Sequence, residues 1–140
     1  MATIDPLGDY PGYQLRRAST AAMIALAHRL DALGLRPTEA SVLMVVEANP
    51  NITQSDIGRL LGIVSANMAP LVSRLEERDL VERTPMDGRS HGLGLRPGGR
   101  SLTARVKKVI TAHERTLLSK VPASCRTAFM TGLRAIWEES

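Results

Sequence analysis

Residues 53–95 read TQSDIGRLLGIVSANMAPLVSRLEERDLVERTPMDGRSHGLGL, and their first half predicts a helix-turn-helix. Two short helical patterns are separated by a tight turn at Gly62, a residue suited to ending a helix. Thr53 is placed to cap the first of them, with Asp56 imitating the acidic partner of a capping box. The second helix has one inward apolar stripe at helical spacing, formed by Met68, Leu71, Val72 and Leu75.

The second half of this stretch predicts a β-hairpin. A polar strand, VERT (81–84), runs into Pro85, and a second alternating stretch ends at Leu95. The turn between them holds an arginine, Arg89. A lone two-stranded hairpin is only marginally stable in water. Its presence among helical patterns therefore suggests that the hairpin serves a function.

Helical patterns flank this stretch on both sides. Before it, one helix is predicted over 13–33, ending at Gly34, and another begins at Pro37 and stops before Asn49. The middle of the first helix, AAMIALA, is apolar on nearly every face, which suggests burial against a second subunit. After the hairpin, two more helices are predicted over about 101–119 and 122–138.

Composition narrows the class of protein. The chain has 140 residues, 44% hydrophobic and 23% charged, as expected for one globular domain with a core. A net charge of +4 is compatible with a polyanionic partner. No run approaches the roughly 20 apolar residues of a membrane span, and no signal-peptide pattern is present. We therefore expect a cytoplasmic protein with no membrane partner.

Neither a metal site nor a catalytic site is predicted. The histidines, His28, His91 and His113, lack ligand-like spacing, and no nucleophile elbow, phosphate loop or metal motif is present. We therefore expect no enzyme activity and no cofactor. The single cysteine, Cys125, excludes an intramolecular disulfide. It falls on the apolar stripe of the last helix with Phe129, which predicts a buried structural thiol.

The order helix, helix, helix-turn-helix, hairpin, helix, helix resembles the MarR (multiple antibiotic resistance regulator) family. The resemblance extends from about Tyr13 to Trp137 and is most specific in SDIGRLLGI, SANMAPLVSRLEERDLVER and DGRS. It implies a mainly α fold with a small β-hairpin wing: a winged helix-turn-helix flanked by N- and C-terminal dimerisation helices. The resemblance also implies that the protein is a homodimer with two winged-helix lobes on DNA. The predicted boundaries are 1–140 for the single domain, 36–96 for the DNA-binding lobe, and 10–34 and 100–140 for the dimerisation helices.

Three positions depart from the usual family pattern. Asp79 replaces a glycine, and aspartate tolerates a left-handed turn better than most residues. Arg96 replaces a threonine. Pro70 lies on the exposed face of the recognition helix and lacks a backbone N–H, so a slightly irregular start to that helix is expected.

The candidate DNA-binding residues lie on the helix-turn-helix and the wing. They are Gln54 and Ser55 at the start of its first helix, Ser65, Ala66, Asn67, Pro70 and Arg74 on the recognition helix, and Arg89 and Ser90 at the hairpin tip. Asp87 is expected to fix Arg89 by a salt bridge. Structural alternatives are a capping role for Ser65, a solvated face for Asn67 and Arg74, and a plain polar turn at the wing. A local excess of basic residues, Arg89, Arg96, Arg100, Arg105, Lys107 and Lys108, suggests a phosphate footprint.

The resemblance also implies a small-molecule pocket between the dimer helices and the DNA lobe. Arg16, Arg17 and His28 are the candidate ligand-binding residues, suited to a small aromatic carboxylate or a related thioester. Arg17 and His28 lie about 16 Å apart along one helix, so one small ligand does not easily reach both. An inter-subunit salt bridge for the arginines and an interface position for His28 are the structural alternatives.

Together these observations predict a sequence-specific DNA-binding regulator that acts as a homodimer on a pseudo-palindromic operator. We expect a repressor that is relieved by a ligand. The alternative is a winged-helix module for protein association without specific DNA binding. The operator, the ligand and the choice between activation and repression stay open at this stage.

Overall fold

A computed structural model describes residues 2–138, with six α-helices and three short strands in that range. Met1, Glu139 and Ser140, which belong to the predicted 1–140 boundary, lie outside the described residues. The helices are α1 (Pro11–Leu30), α2 (Pro37–Ala48), α3 (Gln54–Leu61), α4 (Ser65–Glu77), α5 (Pro97–Ser119) and α6 (Arg126–Glu138). The strands are β1 (Ile52–Thr53), β2 (Val81–Pro85) and β3 (His91–Leu95). The predicted mainly α fold with a β wing is confirmed.

The core is formed where α2, α4, α5 and the sheet meet. The predicted inward stripe of α4 is buried, with Met68, Leu71, Val72 and Leu75 all in one cluster. Leu43 of α2, Leu93 of β3 and Val106 of α5 complete the centre of that cluster. Burying a side chain of this size contributes roughly 1.5–3 kcal/mol, so the lobe that carries α3 and α4 has its own apolar support.

The sequence suggested a lone two-stranded hairpin, but a third strand, β1, pairs with it. The strand order is β1-β3-β2, with Ile52 opposite Leu93 and Thr53 opposite Gly92. A side chain at Gly92 would place its Cβ 2.9 Å from the Cα and the carbonyl oxygen of Asn51. Glycine therefore lets the chain before α3 approach the wing closely enough to pair with it.

The predicted start of the long fifth helix, about Ser101, is wrong by one turn, since α5 begins at Pro97. Proline suits a first helical position because its missing N–H has no partner to lose there. Gly99 then packs on the strand connection: a Cβ at this position would lie 2.0 Å from the carbonyl oxygen of Leu80. Asp79, immediately before Leu80, has a φ of 57°, so it adopts the expected left-handed conformation.

The outer helices expose apolar side chains in the single chain. The α-helical part of α1 ends at Leu30, and a 3-10 turn over Asp31–Leu33 leads to Gly34. Leu30 is the buried residue of α1, whereas Ile24 is 56% exposed. On α6, exposed apolar residues include Phe129, Met130 and Ile136. Among the described residues, no helix is long and apolar enough to cross a membrane.

The prediction that Cys125 is a buried thiol on the last helix is wrong for this chain. Cys125 lies in a 3-10 turn over Ala123–Cys125, before α6 begins, and it is exposed. The stripe that placed it beside Phe129 assumed one continuous α-helix from Pro122. The stripe itself is not covered in the single chain either, since no described residue of α6 is buried and Phe129 is exposed.

Candidate nucleic-acid interface

The turn between α3 and α4 is held by backbone contacts. The N–H of Ile63 donates to the carbonyl of Gly58 at 2.8 Å, and Gly62 has a φ of 69°. A Cβ at Gly58 would lie 2.9 Å from the carbonyl oxygen of Ile63. Glycines at both positions therefore allow the two helices to approach at a tight angle, as a helix-turn-helix requires.

Thr53 caps α3 as predicted, but the capping box is only half formed. The Oγ1 of Thr53 accepts from the N–H of Asp56 at 3.1 Å. The Asp56 carboxylate accepts instead from Arg59, with 2.5 Å between Oδ1 and Nη2. The Asp56 side chain is shorter than that of glutamate, and it pairs with Arg59 one turn further along α3 rather than with the backbone before the helix.

The first turn of α4 presents an exposed polar surface. Val64 is the N-cap residue, so the alternative in which Ser65 is the cap is wrong; Ser65 is the first helical residue. Ser65, Ala66, Asn67 and Pro70 are all exposed. The helix continues unbroken past Pro70 to Glu77, and the N–H of Asn67 bonds to the carbonyl of Val64, a tighter first turn than in regular α-helix.

Arg74 is tied to α2 by an ion pair that the sequence analysis missed. Its Nε lies 3.4 Å from Oε2 of Glu39, and the two side chains are 40% and 6% exposed, respectively. The other carboxylate oxygen of Glu39 accepts from the N–H of Arg36 at 2.8 Å. An acid three residues after the cap position of α2 is the pattern of a capping box and is visible in the sequence. The partnership with Arg74, 35 residues away, is not.

Two grooves flank the start of α4. The first, with a volume of about 570 Å³, brings together Gln54 and Ser55 of α3 with Ser65 of α4. In it the Oε1 of Gln54 is buried and has no hydrogen-bond partner among residues 2–138. The second, of about 500 Å³, is lined by Asn67, Pro70 and Arg74 together with Arg36 and Thr38 at the start of α2. The predicted residues of the helix-turn-helix therefore line these two grooves, except for Ala66, which is exposed and lines neither.

The wing projects an arginine with no carboxylate partner. Gly88 has a φ of 73°, and the N–H of Met86 donates to the carbonyl of Ser90 at 2.9 Å, which closes the turn. Asp87, Arg89 and Ser90 are exposed. Within the described range 2–138, no ion pair joins Asp87 to Arg89, so the expected wing salt bridge is not formed in this structure.

The ion pairs of the wing lie at its base instead. Arg83 of β2 pairs with Glu76 of α4 at 2.8 Å, and Arg96 pairs with Glu82 at 3.3 Å. Further along the chain, Lys107 pairs with Glu47 of α2. Arg96 and Lys107 are therefore partly neutralised in the single chain, whereas Arg89, Arg100, Arg105 and Lys108 form no ion pair among the described residues.

The candidate ligand residues lie apart from these grooves. Arg16, Arg17 and His28 are all exposed on α1, and the guanidinium of Arg16 lies 5.9 Å from the ring centroid of Tyr13. None of the three lines either groove beside α4. Across the described part of the chain, no cluster of three His, Cys, Asp or Glu residues is arranged to hold a metal ion.

Comparison with known proteins gives a consistent result. A model of the MarR family matches residues 33–90. The chain is 34% identical to the transcriptional repressor CouR in a complex with a 23-mer DNA duplex, over 97% of this chain and 98% of that one, with a TM-score of 0.89. It is 31% identical to CouR bound to p-coumaroyl-CoA, over 100% of both chains, with a TM-score of 0.90. CouR from Rhodococcus jostii RHA1, also bound to p-coumaroyl-CoA, is 25% identical over 95% of both chains, with a TM-score of 0.82.

Proposed function

Because the chain belongs to the MarR family of winged-helix transcriptional regulators, we propose that it is a homodimeric repressor that binds a pseudo-palindromic DNA operator and is released by an aromatic acyl thioester. The observation that carries the DNA-binding part is the pairing, on one lobe, of an exposed polar first turn of α4 with an unpaired arginine at the wing tip. Regulators of this family are not enzymes, and the proposed activity is binding alone.

DNA recognition divides between these two elements. The start of α4 enters the major groove, where Asn67 reads a base edge and Ser65 and Ala66 approach the bases or the backbone. Gln54 and Ser55 at the start of α3 hold a phosphate. Arg89 of the wing lies in or beside the minor groove, where negative potential attracts arginine. Similarity to a DNA-bound repressor over nearly the whole chain supports this arrangement.

The dimer is formed by α1, α5 and α6, with residues 36–96 as the DNA-binding lobe. Exposed apolar side chains on α1 and α6, such as Ile24 and Phe129, support this division because they need cover in solution. A two-fold dimer presents its two recognition helices to two half-sites, which is why the operator is pseudo-palindromic. Such a regulator acts in the cytoplasm, beside the DNA.

The ligand is an aromatic acyl thioester, and Arg16 or Arg17 of α1 anchors one of its anionic groups. The similarity of this chain to CouR bound to p-coumaroyl-CoA supports the thioester over a simple carboxylate. Binding stabilises a lobe spacing that no longer matches successive major grooves. The ligand shifts the equilibrium only by its differential affinity for the two spacings.

The test uses the full chain and an operator selected from a pool of random duplexes. We expect one dimer per operator, tighter binding to the operator than to random duplex, and weaker operator binding when p-coumaroyl-CoA is added. Arg17→Ala and Arg16→Ala are expected to blunt the ligand effect more than DNA binding itself. A monomer at micromolar concentration would contradict the dimer, and equal affinity for all duplexes would favour a protein-association module.

A further inference from the structure

The second groove beside α4 is lined in part by Arg36, which is not among the residues proposed above to contact DNA. Arg36 and Arg74 both line it, together with Thr38, Asn67 and Pro70. No carboxylate is among the residues that line this groove. Because Asn67 and Pro70 also belong to the exposed face of α4, the groove is continuous with the surface proposed to enter the major groove.

Arg36 occupies an unusual place for its residue type. It precedes α2 as the N-cap residue, where serine, threonine, aspartate or asparagine is preferred because their side chains accept from the helix. Arginine has no acceptor. Its backbone N–H is bound by Glu39, and its side chain is exposed without an ion pair to any carboxylate in residues 2–138. Position 36 therefore lacks a side chain that can cap α2, and an exposed cation lies there instead.

Glu39 contacts both of the residues that supply the cations of this groove. One oxygen of its buried carboxylate accepts from the backbone N–H of Arg36 and the other from Nε of Arg74. Using Nε leaves both terminal amino groups of the Arg74 guanidinium to donate elsewhere. The residues that line this groove therefore include two cations, Arg36 and Arg74, and no anion. A neighbouring groove that the same two arginines line also holds the carboxylates of Asp31, Glu39 and Glu77.

We propose that this groove binds a backbone phosphate of the operator through Arg36 and Arg74, and that Glu39 is the positioning residue that directs Arg74 toward it. This deepens the proposed function and rests on it. In helix-turn-helix proteins the recognition helix lies in the major groove while the first helix of the motif, here α3, crosses the backbone. The start of α2 is joined to α4 by the ion pair of Glu39 with Arg74, so Arg36 borders the same groove as Asn67 and Pro70. Contacts of this kind position the protein and carry little sequence information.

The first test compares Arg36→Ala with Arg115→Ala, which removes an exposed arginine of α5 and serves as the charge-matched control. Affinities for the selected operator and for a random duplex are measured at several salt concentrations. Arg36→Ala should weaken binding to both duplexes alike and lower the salt slope by about 0.9. A fourfold rise in salt should then cost the wild type about 3.5-fold more affinity than it costs the variant. Arg36→Lys should retain most of the wild-type slope.

The second test concerns Glu39. In Glu39→Gln the amide oxygen can still accept from the Arg36 N–H, but the charge that holds Arg74 is gone. If Glu39 acted only through its negative charge, its removal would tighten DNA binding. If it positions Arg74, the variant should bind both duplexes several-fold more weakly, with a reduced salt slope. Thermal unfolding of each variant confirms that binding is measured on folded protein.

The outcomes separate the two proposals. A wild-type slope and affinity in Arg36→Ala, while the wild type still prefers its operator, would overturn the phosphate groove and leave the regulator intact. Tighter binding by Glu39→Gln would overturn the positioning role. A wild-type chain that binds no duplex at any salt concentration would overturn both the groove and the proposed function.

Discussion

The guanidinium of Arg78 donates a hydrogen bond to the carbonyl oxygen of Gly34, with 2.7 Å between Nη1 and the oxygen. A second bond, 3.2 Å long, goes to the carbonyl of Leu33. Arg78 follows the last residue of α4, and Gly34 ends the turn after α1. One side chain therefore connects the end of the proposed recognition helix to the end of a proposed dimerisation helix.

Arg78→Ala removes this connection. We expect it to lower the free energy of unfolding by about 1 kcal/mol, the scale of the hydrogen bonds lost. If Arg78 also couples α1 to α4, the thioester should release the variant from the operator less effectively than it releases the wild type. Chemical denaturation and operator titrations with and without p-coumaroyl-CoA measure the two effects. A normal ligand response would limit Arg78 to a structural role.

Gly99→Ala tests the close approach of α5 to the strand connection. The added Cβ would lie 2.0 Å from the carbonyl oxygen of Leu80. That oxygen is a backbone atom, so it cannot move away as the end of a flexible side chain could. We expect a loss of more than about 3 kcal/mol in the free energy of unfolding, or a chain that does not fold. Gly98→Ala is the control, because its Cβ would meet the carbonyl oxygen of Asp79 at an ordinary 3.7 Å. Equal effects of the two substitutions would contradict this account.

Asp79→Gly should stabilise the protein. Asp79 has a φ of 57°, and a residue with a Cβ is strained there by roughly 1 kcal/mol relative to glycine. We expect a rise of about 0.5–1 kcal/mol in the free energy of unfolding, measured by urea denaturation. Asp79→Ala should have no such benefit, since alanine retains the Cβ and loses the local tolerance of aspartate. A less stable glycine variant would show that the Asp79 side chain contributes more than its backbone strain costs.

Arg89→Ala and Asn67→Ala should affect DNA binding in different ways. Arg89→Ala is expected to weaken binding to operator and random duplex alike and to lower the salt slope by about one unit. Asn67→Ala should cost roughly 1–3 kcal/mol on the operator and spare non-specific binding. Titrations on both duplexes across a salt series distinguish them. Wild-type behaviour of Arg89→Ala would mean that the wing does not contact DNA.

The sequence predicted the features that depend on local pattern. The inward stripe of α4, the bounds of α2 and the ends of α3 and its turn at Gly62 all follow from apolar spacing, a first-turn proline and glycine. The position of Asp79 in a left-handed turn was also accessible, because the family pattern places glycine there.

The features that were missed depend on which distant parts of the chain come into contact. Strand β1 has two residues, too few for any periodicity, and exists because it pairs with Gly92 and Leu93. The early start of α5 was hidden because Pro97 and two glycines suggest a turn, while Gly99 is required by Leu80. The ion pair of Arg74 with Glu39 joins residues 35 apart. The exposure of Cys125 was missed because apolar spacing does not show which face another element covers, and no described residue of α6 is buried in the single chain.

The pairing of Thr53 with Gly92 has a mechanical consequence. Thr53 is at once the cap of α3 and a strand residue paired with β3, so the helix-turn-helix and the wing are joined directly by backbone pairing. If α4 and the wing contact the two grooves of DNA as proposed, this pairing holds them at one angle within each lobe. If two lobes act together, tolerance for operators of different half-site spacing must come from flexing of the helices between lobes. Variants that loosen β1 should broaden the range of spacings that the protein accepts.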